Sequence, residues 1–459
     1  MAPPAHTALP QLLRSRDGER LRAYKENLDF FNGLQWPVPT TARTRRGTRQ
    51  LTFNYAEAFV TKTTAYLMTD LAFVADPVDD TQPALDAAAG AELAIRQVAE
   101  QNDLHALQFD TELDCAVLGD AAYKVTWDTA EERVRVTAPD VTALFAWRRP
   151  DDVRDVWRVA QRYTLPSADA LQLYGLNSIR RDAEVIEEWT ADTLTMWLDG
   201  AIVSSGPNPY GWIPYVIFPN IRKPKQQWGT SDIPQIRESA RALNRVLTQL
   251  DQIVELSGNP IAVLEGVTET QDIGVQPGAV WELPEGAKAY LLDLLKSGGV
   301  RIVLEYADQV YRTLHDLGES PRSAFGENKA GLSGVALNIE LDPIVKKVAR
   351  KRIIRNTAYA ARNDMILALL AKYAGLDQAV ATHATRPQWG AVLPNDYTRD
   401  VANNIAAVNA ALFSRRRAAS ALGVENPDNE LLQWIHEAQR VTAAQPKQAP
   451  GVAPPTAQP

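Results

Sequence analysis

The chain has 459 residues, a net charge of −8, 45% hydrophobic residues and 23% charged residues. That mixture excludes wholesale disorder and collagen-like repeats, and the length suits about three domains. The single cysteine, Cys115, excludes an internal disulfide and a cysteine-rich metal site, and the acid surplus excludes a surface that grips nucleic acid everywhere by counterion release.

Charge is segregated along the chain. Residues 1–50 hold nine Arg/Lys against four acids, whereas 76–120 hold eleven acids against Arg96 alone. Two readings stand. Either these are solvated helix faces, or one copy's basic arm meets the acidic face of the next copy. Residues 1–19 read as a flexible arm. Leu21, Tyr24, Leu28 and Phe31 follow helical spacing up to Gly33. Residues 41–50 read as an Arg/Thr-rich loop, 53–68 as a second helix, and 85–117 as Ala-rich helix with an acidic outer face.

From Ala121 the period changes to two. Tyr123, Val125 and Trp127 alternate, as do Val134 and Val136, and Asp199-Gly200 between alternating runs marks a hairpin. Residues 121–220 therefore read as an antiparallel meander, with six tryptophans as core or edge aromatics.

Helical periodicity then returns. Ile236, Ala240, Leu243, Leu247, Leu250 and Val254 step by four and three, a coiled-coil-like seam behind a cap at Ser231 or Asp232. Asn259-Pro260 stops the rod. Residues 259–296 form a compact interlude of strand-sized runs. A second rod carries Val303, Ala307, Val310, Leu314 and Leu317 at the same steps and stops at Gly318. Two such rods joined by a small module make an antiparallel hairpin, whose seams can pack on each other or on another copy. Residues 319–332 lack an apolar period and read as an exposed loop. A long helix from Ser333 to about 374 contains Pro343, so a kink is expected there. Residues 376–395 read as irregular, 396–441 as short helices, and 442–459, with five prolines, as disordered.

The search for chemistry is mostly negative. There is no phosphate-binding loop, dinucleotide fingerprint or nucleophile elbow, and no histidine pair at ligand spacing. No catalytic residue, metal site or cofactor is expected. No apolar run approaches the ~18 residues of a membrane helix, and no secretory signal opens the chain, so a soluble intracellular protein is expected. The densest basic cluster is Lys346, Lys347, Arg350, Lys351, Arg352 and Arg355, of which Lys347, Lys351 and Arg355 share one helix face. It either pairs with acids of a neighbouring subunit, lies solvated, or faces a polyanion.

In order and spacing, several short motifs resemble the portal proteins of tailed, siphovirus-type bacteriophages. They are 24–33 (YKENLDFFNG), 54–70, 118–123 (LGDAAY), 213–215 (IPY), 218–220 (FPN), 228–233 (WGTSDI), Asn259-Pro260 and 333–337 (SGVAL). The resemblance implies an α+β, mainly helical fold. Its parts are a wing over 20–230 with the antiparallel β meander, a two-helix stem (231–258 and 297–318) and a small α/β clip (259–296). A tunnel loop (319–332), a long kinked wing helix with its following segment (333–395), a helical crown (396–441) and the tail complete it.

The function implied is a head-to-tail connector, not an enzyme. Twelve subunits would form a ring at a capsid vertex of the virion, assembled in the host bacterial cytoplasm. Double-stranded DNA would pass through the channel in packaging and ejection. Other implied partners are the large terminase subunit, a head-completion adaptor, and the major capsid and scaffolding proteins. Arg322, Asn328 and Lys329 would meet DNA transiently, and Trp281, Glu282 and Glu285 would dock the motor. Ile236, Leu243, Leu247, Leu250, Val254, Val303, Val310, Leu314 and Leu317 would form the stem seam. The alternatives are a capsid-associated protein without a channel and a metal-dependent nucleic-acid enzyme.

Overall fold

The computed structural model describes residues 9–36, 50–79, 81–258, 262–265, 286, 288–291, 299–327, 334–393, 397–424 and 427–444. The chain divides into two compact units, Met1–Trp389 and Gly390–Pro459.

The first unit opens with α1 (Leu9–Ser15), α2 (Gly18–Phe31) and α3 (Tyr55–Leu67). The strand β1 (Ala72–Ala75) and helices α4 (Gln82–Gln101) and α5 (Leu104–Leu118) follow. The expectation of a flexible arm over 1–19 is corrected for α1. Leu9 and Leu13, one turn apart, bury against Phe145, Ala160, Ile186 and Trp197. Two leucines are too few to register as a period.

The single meander expected over 121–220 is two antiparallel sheets. β2 (Asp120–Asp128) pairs with β3 (Arg133–Thr137) on one side and with β9 (Tyr215–Pro219) on the other. Between them lies a five-stranded meander of β4 (Leu144–Arg148), β5 (Val156–Pro166), β6 (Asp182–Trp189), β7 (Thr193–Leu198) and β8 (Ala201–Pro207). Helix α6 (Ser167–Tyr174) links β5 to β6. The register Ala121↔Phe218 is a long-range pairing that alternation within one strand does not encode. The β7–β8 turn does follow from local chemistry: Asp199 (φ 50°) and Gly200 (φ 95°) both take the left-handed backbone of a type I′ turn.

After β9 come α7 (Ile233–Gly258), the paired strands β10 (Ala262–Glu265) and β11 (Lys288–Leu291), and α8 (Gly299–Gly318). The long α9 (Gly334–Tyr373) holds Pro343 in its interior. The region expected to be irregular contains α10 (Gln378–Ala381) and β12 (Thr385–Gln388), which pairs with β1. A four-residue strand is too short to show a period.

Two principal cores result. One gathers α2, α3, β2, α7 and α8 around Phe30, Phe59, Leu243 and Leu314. The other surrounds α9 with Ile95, Tyr123, Phe218, Tyr359 and Ile366. A close approach joins them. Gly119 (φ 115°) ends α5, and a Cβ there would lie 2.9 Å from the Ser231 nitrogen; a Cβ on Gly229 would lie 2.1 Å from the Gly119 oxygen. Glycine at both positions lets the Leu118-Gly119-Asp120 and Trp228–Asp232 segments pack backbone to backbone.

The second unit consists of α11 (Tyr397–Asn409), α12 (Arg415–Ala421) and α13 (Pro427–Ala444). The Ser414 hydroxyl caps α12 by accepting from the Arg417 N–H at 3.1 Å.

Candidate functional site

The α7–α8 hairpin is the distinctive element of the first unit. At ~1.5 Å per residue α7 is about 39 Å long. A Cβ placed on Gly318, at the end of α8, would lie 3.4 Å from Ile236 near the start of α7, so the two helices run antiparallel. At this root the seam is filled within one chain: Ile236, Ala240, Leu243 and Val246 bury against Ala307, Val310, Leu314 and Phe59. Leu247, Leu250 and Val303 are half-buried. Toward the far end the apolar surface is open, with Val254 67% exposed, Ile302 69%, Leu304 54% and Tyr306 54%. Leu317 is also exposed, on the outer side of the root. Buried polar groups tie α7 to the segment before α3. Asn244 accepts from the Phe53 N–H at 2.9 Å, and the Thr248 hydroxyl accepts from the Leu51 N–H at 3.1 Å.

A buried charge cluster holds this root to α9. Lys351 donates to Asp232 Oδ2, and Lys347 donates to the Gly318 carbonyl at 3.0 Å with Asp232 Oδ1 3.7 Å away. Asp232 therefore meets two lysines of α9 and accepts from Asn220 Nδ2 at 3.3 Å, while Lys347 extends the cluster to the end of α8. Burial by itself would raise the Asp232 carboxyl, but the Lys347 and Lys351 charges outweigh it and hold the group at about 2. The α7 cap is Ser231, whose hydroxyl accepts from the Ile233 N–H at 3.0 Å. One turn along α9, Arg355 makes a two-pronged pair with Glu112 (Nε to Oε1 3.1 Å, Nη2 to Oε2 2.8 Å) and donates to the Asn220 carbonyl at 2.7 Å. Tyr359 donates to the same carboxylate at 2.8 Å. Burial works against the Arg355 charge, yet Glu112 raises it above the ordinary arginine range.

This corrects the basic-face expectation for Lys347, Lys351 and Arg355. All three are buried and matched inside their own chain, closed to a polyanion or a neighbouring subunit. Lys346 is exposed beside Asp342 at 2.8 Å, and Arg350 is exposed beside Glu319. The sequence did carry a signal. Ile344, Val348, Lys351, Arg355, Tyr359, Arg362, Ile366 and Leu369 step by four and three and are all buried. Cations set within a continuing apolar stripe are core residues with partners elsewhere. Arg362 belongs to the same stripe, its guanidinium carbon 5.0 Å from the Tyr123 and Tyr359 ring centres and 5.1 Å from Phe73.

The exposed-loop expectation is likewise corrected over 319–327. The Phe325 ring sits 4.9 Å from Phe59 and 5.2 Å from His315. The His315 ring nitrogen Nδ1 lies 2.6 Å from the Ser320 carbonyl, and burial lowers the basicity of this imidazole. Arg322 bridges Glu327 at 2.5 Å and Asp308 at 3.6 Å, and its guanidinium lies 5.0 Å over Tyr311. Glu319 pairs with Arg350 of α9. One phenylalanine and a few local ion pairs fix this segment, and neither makes a period. Asn328, Lys329, Trp281, Glu282 and Glu285 lie outside the described residues.

Among the described residues no three His, Cys, Asp or Glu side chains converge on a point that could hold a metal ion, and no helix is long and apolar enough to cross a membrane. A family model described as phage portal protein, SPP1 Gp6-like, matches residues 13–443. No curated protein matches the chain.

Proposed function

The chain belongs to the phage portal protein family, and from that premise we propose that its copies close into a ring at one capsid vertex. Double-stranded DNA passes through the centre of the ring during packaging and ejection. The family is a structural one, and the chain acts as conduit and docking platform. The α7–α8 hairpin is the stem, 259–296 the clip, and 396–441 the crown. The clip, with Trp281, Glu282 and Glu285, meets the large terminase subunit and later the head-completion adaptor. The wing meets the capsid and scaffolding proteins.

The observation that supports this reading is the contrast along the hairpin. Its root is closed by its own chain, while Val254, Ile302, Leu304 and Tyr306 are left open at the far end. An apolar surface on a projecting two-helix arm is covered when identical arms pack side by side, and a closed ring gives every arm two neighbours. Within this reading 319–332 is the tunnel loop. Arg322, already matched by Glu327 and Asp308, positions that segment, which leaves Asn328 and Lys329 as the channel contacts. Mass and symmetry of the purified full-length protein test the proposal. Ring-shaped particles of many subunits with a central hole are expected. A monomer of 50.6 kDa under assembly conditions, with no larger species, overturns it.

A further inference from the structure

A second basic cluster, unlike the one on α9, faces solvent. Between β9 and α7 the chain makes a loop carrying Arg222, Lys223 and Lys225, all exposed, with Pro224, Gln226 and Gln227 exposed beside them. Among the described residues no carboxylate lies within ion-pair distance of these three cations. Asp152, whose carboxylate feels the Arg222 charge, is held by Arg154 at 3.1 Å.

The base of the loop is rigid. The Thr230 N–H donates to the Ile221 carbonyl at 3.0 Å, and Asn220 Nδ2 donates to the Thr230 carbonyl at 3.0 Å. The Gly229 N–H donates to Asp120 at 2.8 Å. Trp228 packs against two guanidinium groups, Arg20 at 4.0 Å and Arg148 at 5.3 Å from its ring centre. Arg148 is buried, donates to the Val153 carbonyl, and leaves Nε and Nη2 without a hydrogen-bond partner. Positive charge thus lies both on the loop and beneath it. Asp120 is the carboxylate that faces this side, already engaged by Tyr24 and Gly229.

We propose that the 222–225 loop is a contact site for the phosphodiester backbone of nucleic acid. The choice of polyanion rests on the proposed function, which brings DNA to this protein. The chemistry of the loop favours phosphate over a protein surface. A protein interface needs an apolar centre and is depleted in lysine, and this loop offers no large apolar side chain. Phosphate contact requires only cations held in place, and each neutralised phosphate releases counterions. A rigid base reduces the ordering cost of presenting them. Contacts of this kind are independent of base sequence and weaken steeply with salt, which suits a strand that must slide.

Binding of a short mixed-sequence DNA duplex to the full-length protein, followed by fluorescence anisotropy from roughly 50 to 200 mM salt, tests the inference. The variant Arg222→Gln/Lys223→Gln/Lys225→Gln should bind at least ~10-fold more weakly at the low end, with a log–log salt slope shallower by about 2 to 3. A charge-matched control at cations outside the loop and the hairpin, Arg133→Gln/Arg180→Gln/Arg386→Gln, should keep the original slope. Equal loss in both variants, an unchanged slope in the loop variant, or no salt-dependent binding by the unaltered protein each overturns the inference. Native mass measured on the same samples separates this outcome from the proposed function. Rings that ignore DNA sink the loop and leave the ring standing. A loop variant that loses its ring while its DNA binding is unchanged reassigns the loop to contact between copies.

Discussion

The two ends of the α7–α8 hairpin have the same sequence pattern and opposite fates. At the root, Ile236, Leu243 and Leu314 bury against Phe59, and Asp232 is locked to Lys347 and Lys351. At the far end, Val254 carries the same α7 pattern into solvent, and Ile302, one position off the Val303 row of α8, is exposed at the hairpin's open end. Heptad spacing states that a face is apolar and says nothing about what covers it. At the root the cover is intramolecular and includes charges; at the far end it is left to another molecule.

The largest effects should come from breaking the root's charges. Arg355→Ala leaves Glu112 buried without its partner, and Asp232→Ala leaves two buried lysines without theirs. Each should cost about 3–5 kcal/mol, read as a lower urea midpoint of tryptophan fluorescence. A loss under ~1 kcal/mol would show the cluster to be hydrated. Next, Leu314→Ala removes a fully buried side chain and should cost about 2–5 kcal/mol.

Acid sharpens the same point with a smaller effect. The folded Asp232 carboxyl, at about 2, binds its proton more weakly than the unfolded chain does, whose aspartates titrate near ~3.9. The stability this lends is present above the unfolded value and is lost as pH falls from there through about 2. It amounts to on the order of 2 kcal/mol. In the Asp232→Asn variant that portion of the acid-induced decline should be absent, and a decline as steep as in the unaltered protein would contradict the assignment.

The smallest effect on the folded chain should come from the far end. Ile302→Ser and Val254→Ser should shift unfolding by less than ~0.5 kcal/mol, yet reduce the ring population in native mass spectra. Loss of chain stability comparable to Leu314→Ala would show that the far end is already covered.

Much of the fold was legible because its signals are local. The two rods, the Asp199-Gly200 turn and the long helix through Pro343 all come from spacing, turn chemistry or helix stops within a few residues. What was missed depends on contacts distant in sequence. Leu9 and Leu13 of α1 meet a sheet more than a hundred residues away. β9 returns to β2 and divides the expected meander in two. Phe325 enters an aromatic pocket built from α3 and α8, so a segment without any period is fixed. Of the expected seam, Ile236, Leu243, Val310 and Leu314 are buried within the chain while Val254 and Leu317 are exposed, and the basic face was assigned to the surface because a cation's partner is invisible in its own helix.

The sequence by itself determined where the long helices and the Asp199-Gly200 turn lie, which of their faces are apolar, and the family, since these depend on neighbours along the chain and on the order of short motifs. Only the tertiary structure decided which cations are available. Lys347, Lys351 and Arg355 are enclosed with Asp232 and Glu112, while Arg222, Lys223 and Lys225 are exposed on the loop between β9 and α7. The physical reason is that a charge's role is set by its solvation and by the charges beside it, and both are fixed by what the folded chain brings near.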